Sequence, residues 1–241
     1  MKQSTLENKL IILADRENKN FSNKLKINEE YEILGIKVPL LKQLAKEISN
    51  EEGLNHVKDF LNYKNAFYYE ELIITYFVFS NLFNKMDRDN AFSTLNKLLY
   101  YNNSWATNDL ISLSIKPKKN FFAPYFDYIV GKIKSKNPWD IRFAIISLMS
   151  NYLDDEHIDM TLLLFSKVEN SSYYVEMGLG WAFATALAKQ RDKTYPYIFN
   201  KKIKNSVNKI AIQKAIESRR ISESDKIALK KLREELKKNK A

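Results

Sequence analysis

Three stretches of the sequence set an aromatic ring beside a charged group or a pair of glycines. In Asn103-Ser104-Trp105-Ala106-Thr107-Asn108-Asp109-Leu110, Trp105 and Asp109 are four residues apart, so on a helix they share a face. Ser104 carries the kind of side chain that caps a helix start. An indole with a carboxylate beside it can stabilise a cation. The ring face contributes about 0.5–2 kcal/mol depending on solvation, and an ionised carboxylate adds electrostatic stabilisation. Leu110 and Leu113 are expected to point elsewhere. By spacing alone the commoner outcome is plainer: a half-buried Trp105, with Asp109 paired to a nearby lysine.

In Asn137-Pro138-Trp139-Asp140-Ile141-Arg142-Phe143, Pro138 can open a helix and Arg142 follows Trp139 by three. Apolar residues Phe143 to Ile146 place Arg142 at the margin of a packed helix. A guanidinium held there suits a carboxylate or a phosphate, and pairing with an acidic neighbour is the simpler outcome. Gly178-Leu179-Gly180-Trp181 is the third stretch. Each glycine inside a helix costs about 1 kcal/mol relative to alanine, so another backbone or a ligand should approach closely there. A kink without function is the competing account.

The elements that position these residues read as helices. Leu6, Leu10, Ile11 and Leu13 mark a first helix, and Pro39 sits at the first position of the next, whose inner face is Leu40, Leu41, Leu44, Ala45 and Ile48. Further helical segments run near 54–62, 67–82, 88–100, 104–113, 120–134, 138–150, 156–167, 172–189, 193–202, 206–218 and 222–238. Tyr31–Val38 alone could be extended. With 5 Gly and 5 Pro, the connections are few and tight, which makes neighbouring helices antiparallel. Hairpins recur every 35–40 residues or so, close to HEAT-type spacing. The expected fold is all-α, a closed bundle or a curved solenoid of stacked HEAT-like antiparallel helix pairs, forming a single domain over residues 1–241. The segment Tyr173–Lys189 is apolar nearly all round and should lie sandwiched between neighbours.

Composition narrows the chemistry. The sequence has no Cys, which excludes disulfides and thiolate sites, and its two histidines, His56 and His157, are too far apart in sequence to suggest a zinc cluster. No metal or cofactor is expected. The first residues, Met1 to Asn8, lack a signal-peptide-like apolar stretch, and no run reaches a membrane span; the expectation is a cytoplasmic protein without a membrane partner. Of the net charge of +10, residues 182–241 hold a balance of +11, from 17 Lys or Arg against 6 Asp or Glu. The preceding 181 residues hold 22 basic and 23 acidic groups. Such a basic region can attract phosphates through counterion release, or form a solvated tail, since Lys230–Ala241 reads as an exposed helix end.

Four segments, in order and at their spacings, resemble the AlkD-like DNA alkylation repair family of HEAT-like repeat DNA glycosylases. They are Leu34-Gly35-Ile36 through Glu47, Asn103-Ser104-Trp105 through Asp109, Trp139-Asp140-Ile141-Arg142, and Gly180-Trp181. The resemblance spans about residues 5–235. It implies a curved solenoid whose concave basic face holds duplex DNA, and excision of cationic N3- or N7-alkylated purines without a cofactor. By the same resemblance Asp109 is the catalytic carboxylate, with Trp105 and Trp181 lining the sugar and backbone of the lesion nucleotide. Arg142, Lys189, Lys214 and Arg219 are the DNA-binding residues. The partner is alkylated double-stranded DNA, bound by a monomer.

One stretch departs from the family pattern. Where the glycosylases carry a minor-groove helix, Asn20–Ile33 reads as short and broken, with the adjacent acids Glu29 and Glu30. A second expectation is therefore a paralogue that binds DNA with little or no catalysis. A third is a protein-binding solenoid in which the tryptophans only pack.

Overall fold

In the computed structural model, the structure describes residues 3–28, 30–63, 67–200 and 202–238. The expectations that fell on Glu29 and on residues 239–241 lie outside them. The chain divides into two compact units, Met1–Tyr125 and Phe126–Ala241. The described residues are helical throughout, without a strand; Glu32 and Tyr68 form one isolated parallel bridge.

The first unit contains α1 (Gln3–Ile12), α2 (Arg16–Lys24), α3 (Val38–Glu51), α4 (Leu54–Asn62), α5 (Tyr69–Leu82), α6 (Arg88–Leu99) and α7 (Trp105–Ser114). Helix α8 (Lys119–Ile133) carries the boundary between the units. In the first unit α5 is the central helix: every residue from Tyr69 to Phe79 is buried, and it packs against α3, α4 and α7. Phe83, just beyond it, is buried against Phe121 and Tyr125 at ring separations of 4.7 and 5.5 Å.

The Leu34–Ile36 turn is locked onto α5. The Glu70 carboxylate, 1% exposed, accepts hydrogen bonds from the backbone N–H groups of Leu34, Gly35 and Ile36, the shortest being 2.8 Å from Gly35. Gly35 has φ +86°, and a Cβ there would lie 2.3 Å from the Asp15 carbonyl oxygen and 2.4 Å from the Lys19 nitrogen. Only glycine fits that backbone and that space. Asp15 caps α2, accepting from Asn18 N at 3.0 Å, and Asn18 Nδ2 donates to the Gly35 carbonyl at 2.7 Å.

Helix α2 has no counterpart among the expected segments. Its sequence, Arg16-Glu17-Asn18-Lys19-Asn20-Phe21-Ser22-Asn23-Lys24, lacks an apolar period, and Phe21 is exposed; the Asp15 cap and the Gly35 contact hold it. It stops at Lys24, and Lys26 has φ 49°, so the Asn20–Ile33 stretch is helical only at its start. The other predicted helices form within a few residues of their expected ends. Pro39 sits one residue inside α3, which starts at Val38.

The second unit contains α9 (Pro138–Asn151), α10 (Ile158–Ser166), α11 (Tyr173–Lys189), α12 (Arg191–Phe199), α13 (Asn205–Glu217) and α14 (Glu223–Lys238). Helix α11 packs against α9, α12 and α13, sandwiched as its all-round apolar pattern predicts, with Tyr173 at its first turn exposed. Leu187, Ile198, Ile212, Leu229 and Leu232 share one core with it. Alternate helices begin at residues 38, 69, 105, 138, 173 and 205. The repeat is therefore 31–36 residues, at and below the lower end of the expected spacing. No described helix is long and apolar enough to cross a membrane.

Candidate nucleic-acid interface

In the first unit the candidate residues lie on α7. Ser104 takes the extended conformation of a cap and accepts from Thr107 N at 3.2 Å, as its position predicts. Trp105 is half-buried at the first position and Asp109, 8% exposed, follows one turn later on the same stripe. The surroundings of this stripe are enclosed although partly polar: Thr107, Asn108 and Ser112 are buried, the last two following Trp105 by three and seven residues, and Ser112 Oγ donates to the Asn108 carbonyl at 2.7 Å.

Leu110 and Leu113, expected to point away from Trp105 and Asp109, are half-buried and exposed respectively. Leu113 follows Asp109 by four residues, so it continues the Trp105–Asp109 stripe, and both leucines line an open groove of about 620 Å³. Helix α3 supplies Lys42 and Lys46 to this groove, and Lys85 and Lys116 complete a set of four lysines. None of the described residues lining it is acidic. Lys42 Nζ stands 5.4 Å from the centre of the Phe77 ring, and Asn81 Nδ2 donates to Ser49 Oγ at 3.1 Å. The groove is a cationic trough with apolar and hydroxyl groups on its walls, suited to a polyanion. Net charge concealed it, because its lysines come from three distant segments of a region whose charges nearly cancel. The i, i+4 pair Lys42 and Lys46 just after Pro39 was the available signal.

In the second unit Arg142 is 5% exposed and lies beneath α11. Its Nη1 donates to the Tyr174 carbonyl at 2.5 Å. A Cβ on Gly178 would meet that same Nη1 at 3.4 Å. At Gly180 the space is tighter: a Cβ would lie 2.3 Å from Ile210 Cγ2 and 3.2 Å from Ala211 N. The expected close approach is therefore α13 at Gly180 and the Arg142 side chain at Gly178. Trp181, next in sequence, is half-buried.

Of the other expected DNA contacts, Lys189 is exposed at the end of α11, Lys214 is half-buried on α13, and Arg219 is exposed just past α13. Lys189 follows Trp181 by eight residues, about 12 Å along the helix axis. Part of the basic C-terminal charge is engaged in structure. Arg191 forms a forked pair with Asp225, Nη2 to Oδ1 at 2.7 Å and Nε to Oδ2 at 2.9 Å. Through these hydrogen bonds it holds the Asp225 carboxyl below its ordinary range. Lys226 and Lys237 pair with Glu223 and Glu234. Among the described residues no cluster of His, Asp and Glu is arranged to hold a metal ion.

The described residues form an all-helical protein in which α7 carries Trp105 and Asp109 and also borders a groove with four lysines, which neither Trp105 nor Asp109 lines. A family model described as "DNA alkylation repair enzyme" matches residues 6–218, and the chain belongs to that family. Membership supports a role in DNA alkylation repair, with DNA as partner. No curated protein matches the chain.

Proposed function

We propose that this protein is a DNA glycosylase that excises cationic N3- or N7-alkylated purines from double-stranded DNA. The observation that carries the reading is α7 itself, which bears half-buried Trp105 and buried Asp109 on one stripe and supplies Leu110 and Leu113 to the wall of the four-lysine groove. It rests as well on family membership over residues 6–218. The HEAT-like solenoid with a concave DNA face is part of the same proposal, supported within each unit by alternate helices packing side by side, α3 on α5 on α7 and α9 on α11 on α13.

The chemistry asks little of the protein. An alkylated purine is already a cation, so it departs without a general acid. The C1′–N9 bond breaks with its electron pair going to the purine, which leaves neutral. Positive charge develops on the deoxyribose, and water adds to C1′ with loss of a proton. Asp109 stabilises that charge and orients the water. Trp105 and Trp181 present ring faces to the cation and the sugar. Lys189, Lys214 and Arg219 meet phosphates, as do the lysines of the groove. Arg142, nearly enclosed and bonded to the Tyr174 carbonyl, shapes the DNA face through α11. The protein acts as a monomer and needs no cofactor. Incubation with N-methylated duplex DNA should release 7-methylguanine or 3-methyladenine, and Asp109→Asn should slow release by about 100-fold or more. Wild-type protein that frees no base at large excess contradicts the proposal.

The end of α2 at Lys24, followed by Lys26 at φ 49°, favours a second reading. A helix this short offers less to a minor groove, as befits a paralogue that binds DNA without base excision. Binding would then fall steeply with salt while no base appears.

A further inference from the structure

Helices α9 and α11 begin side by side in the second unit, and three aromatic rings run in series across their first turns. The Trp139 and Tyr174 rings lie 5.0 Å apart at 31°, and Tyr173 meets Tyr174 edge to face at 5.3 Å. Tyr173 ends the series and is 67% exposed. Beneath it the platform is fixed, because Arg142 donates to the Tyr174 carbonyl.

Both loops that lead into this end are pinned. Ser135 Oγ donates to Asp140 Oδ2 at 3.0 Å and accepts from Asn137 N at 3.1 Å, while Trp139 N donates to Asn137 Oδ1 at 2.9 Å. On the other loop Ser172 N donates to Asn170 Oδ1 at 2.9 Å, and Lys204 Nζ donates to the Glu169 carbonyl. The same loops wall a hollow of about 470 Å³ that carries Lys134, Lys136 and Lys167, with Glu169 as the single acid among its described lining residues. The three lysines are exposed, and no described residue pairs with them. Lys136 precedes Trp139 by three residues, within roughly 11 Å along the chain, and the hollow that Lys136 shares with Lys134 and Lys167 also takes in Asn170, three residues before Tyr173.

A pinned aromatic face beside unpaired lysines is the combination that holds single-stranded nucleic acid, since every base offers a ring face and every nucleotide a phosphate. A paired base has both faces covered by its neighbours in the stack, so an exposed ring standing on a rigid platform favours an unpaired one. We propose that this end of the second unit is a binding site for unpaired nucleotides. A base stacks on Tyr173 and the strand's phosphates lie against Lys134, Lys136 and Lys167. The proposal extends the nucleic-acid reading above but does not depend on base excision.

The test is fluorescence anisotropy of the full chain with a labelled twelve-residue oligothymidylate and, separately, a twelve-base-pair duplex. Tyr173→Ala should weaken oligothymidylate binding about tenfold, the loss expected for one stacked base, and change duplex binding less than twofold. Tyr173→Phe should restore it. Lys134→Ala with Lys136→Ala should make the salt dependence of oligothymidylate binding shallower by roughly 1.4 in log–log slope. Wild-type protein that does not bind the single strand overturns the proposal. So does an alanine variant that binds it unchanged, or that loses single strand and duplex equally. Because no base is released in this assay, a protein inert on methylated DNA can still pass it, and an active glycosylase can still fail it.

Discussion

The two units hold their tryptophan-bearing helices by opposite means. In the first, α7 rests on α5, and α5 is fastened to the Leu34–Ile36 turn by a buried carboxylate that accepts three backbone hydrogen bonds. In the second, α11 is held by what it lacks: Gly180 lets Ile210 of α13 approach where any side chain would collide. Polar satisfaction governs one unit and shape governs the other. A missing acceptor should therefore damage the first unit and an added methyl the second. Acid should reach the first unit before it reaches the second.

The largest effect is expected at Glu70. Alanine leaves three enclosed N–H groups without their acceptor, a loss of roughly 3–5 kcal/mol measurable by urea unfolding. A loss below about 1 kcal/mol would show that the turn is held by other contacts. Gly180→Ala should cost about 1–3 kcal/mol through overpacking against Ile210, and hydrogen exchange should locate the loosening in α11 and α13. Uniform loosening over both units would remove the contrast. In the groove, Lys42→Ala with Lys46→Ala should weaken duplex binding about tenfold and flatten its log–log salt slope by roughly 1.8; a change in affinity without a change in slope would mean the lysines act on packing.

The smallest effect concerns pH. His56 is buried with Nε2 3.2 Å from Thr75 Oγ1, and burial holds its pKa below the ordinary 6.5. The unfolded chain thus binds the proton more readily. Stability from this group is complete above pH 6.5 and declines as pH falls through the lowered value. In the second unit Asp225, held low by Arg191, keeps its contribution until pH falls below its ordinary 3.8. Between about pH 7 and 5 the His56 contribution should fall by a fraction of ~1 kcal/mol. Glu71 opposes it, because burial raises its carboxyl pKa and its protonation therefore favours the folded state. The difference in melting between wild type and His56→Gln isolates the histidine part. Equal sensitivity in both units over this range would break the comparison.

The helices were legible because most apolar residues at helical spacing also became the buried ones, with Ile11, Leu13 and Leu40, the last expected on the inner face of α3, as exposed exceptions; Ser104 and Pro138 marked their starts correctly. Helix α2 was not, since its stability comes from Asp15, Asn18 and the Gly35 turn rather than from an apolar stripe of its own. The glycine pair in α11 announced a close approach but not which partner made it. Glu70 carries no sequence signal of its role, because its three partners lie 34 to 36 residues away. The lysine groove needed the fold, because only packing α3, α5 and α7 together brings residues 42, 46, 85 and 116 to one wall. The tryptophan and aspartate of α7 were legible as a stripe, and Leu113 was misjudged although its four-residue offset from Asp109 was already visible.

Base release under single-turnover conditions tests the central claim most directly. With duplex DNA carrying 7-methylguanine and enzyme in excess, the wild type should free the base, and Asp109→Asn should slow release by about 100-fold or more while still binding the duplex. Release at the same rate in both proteins would contradict the role given to the carboxylate, and no release from either would leave a DNA-binding protein without this chemistry.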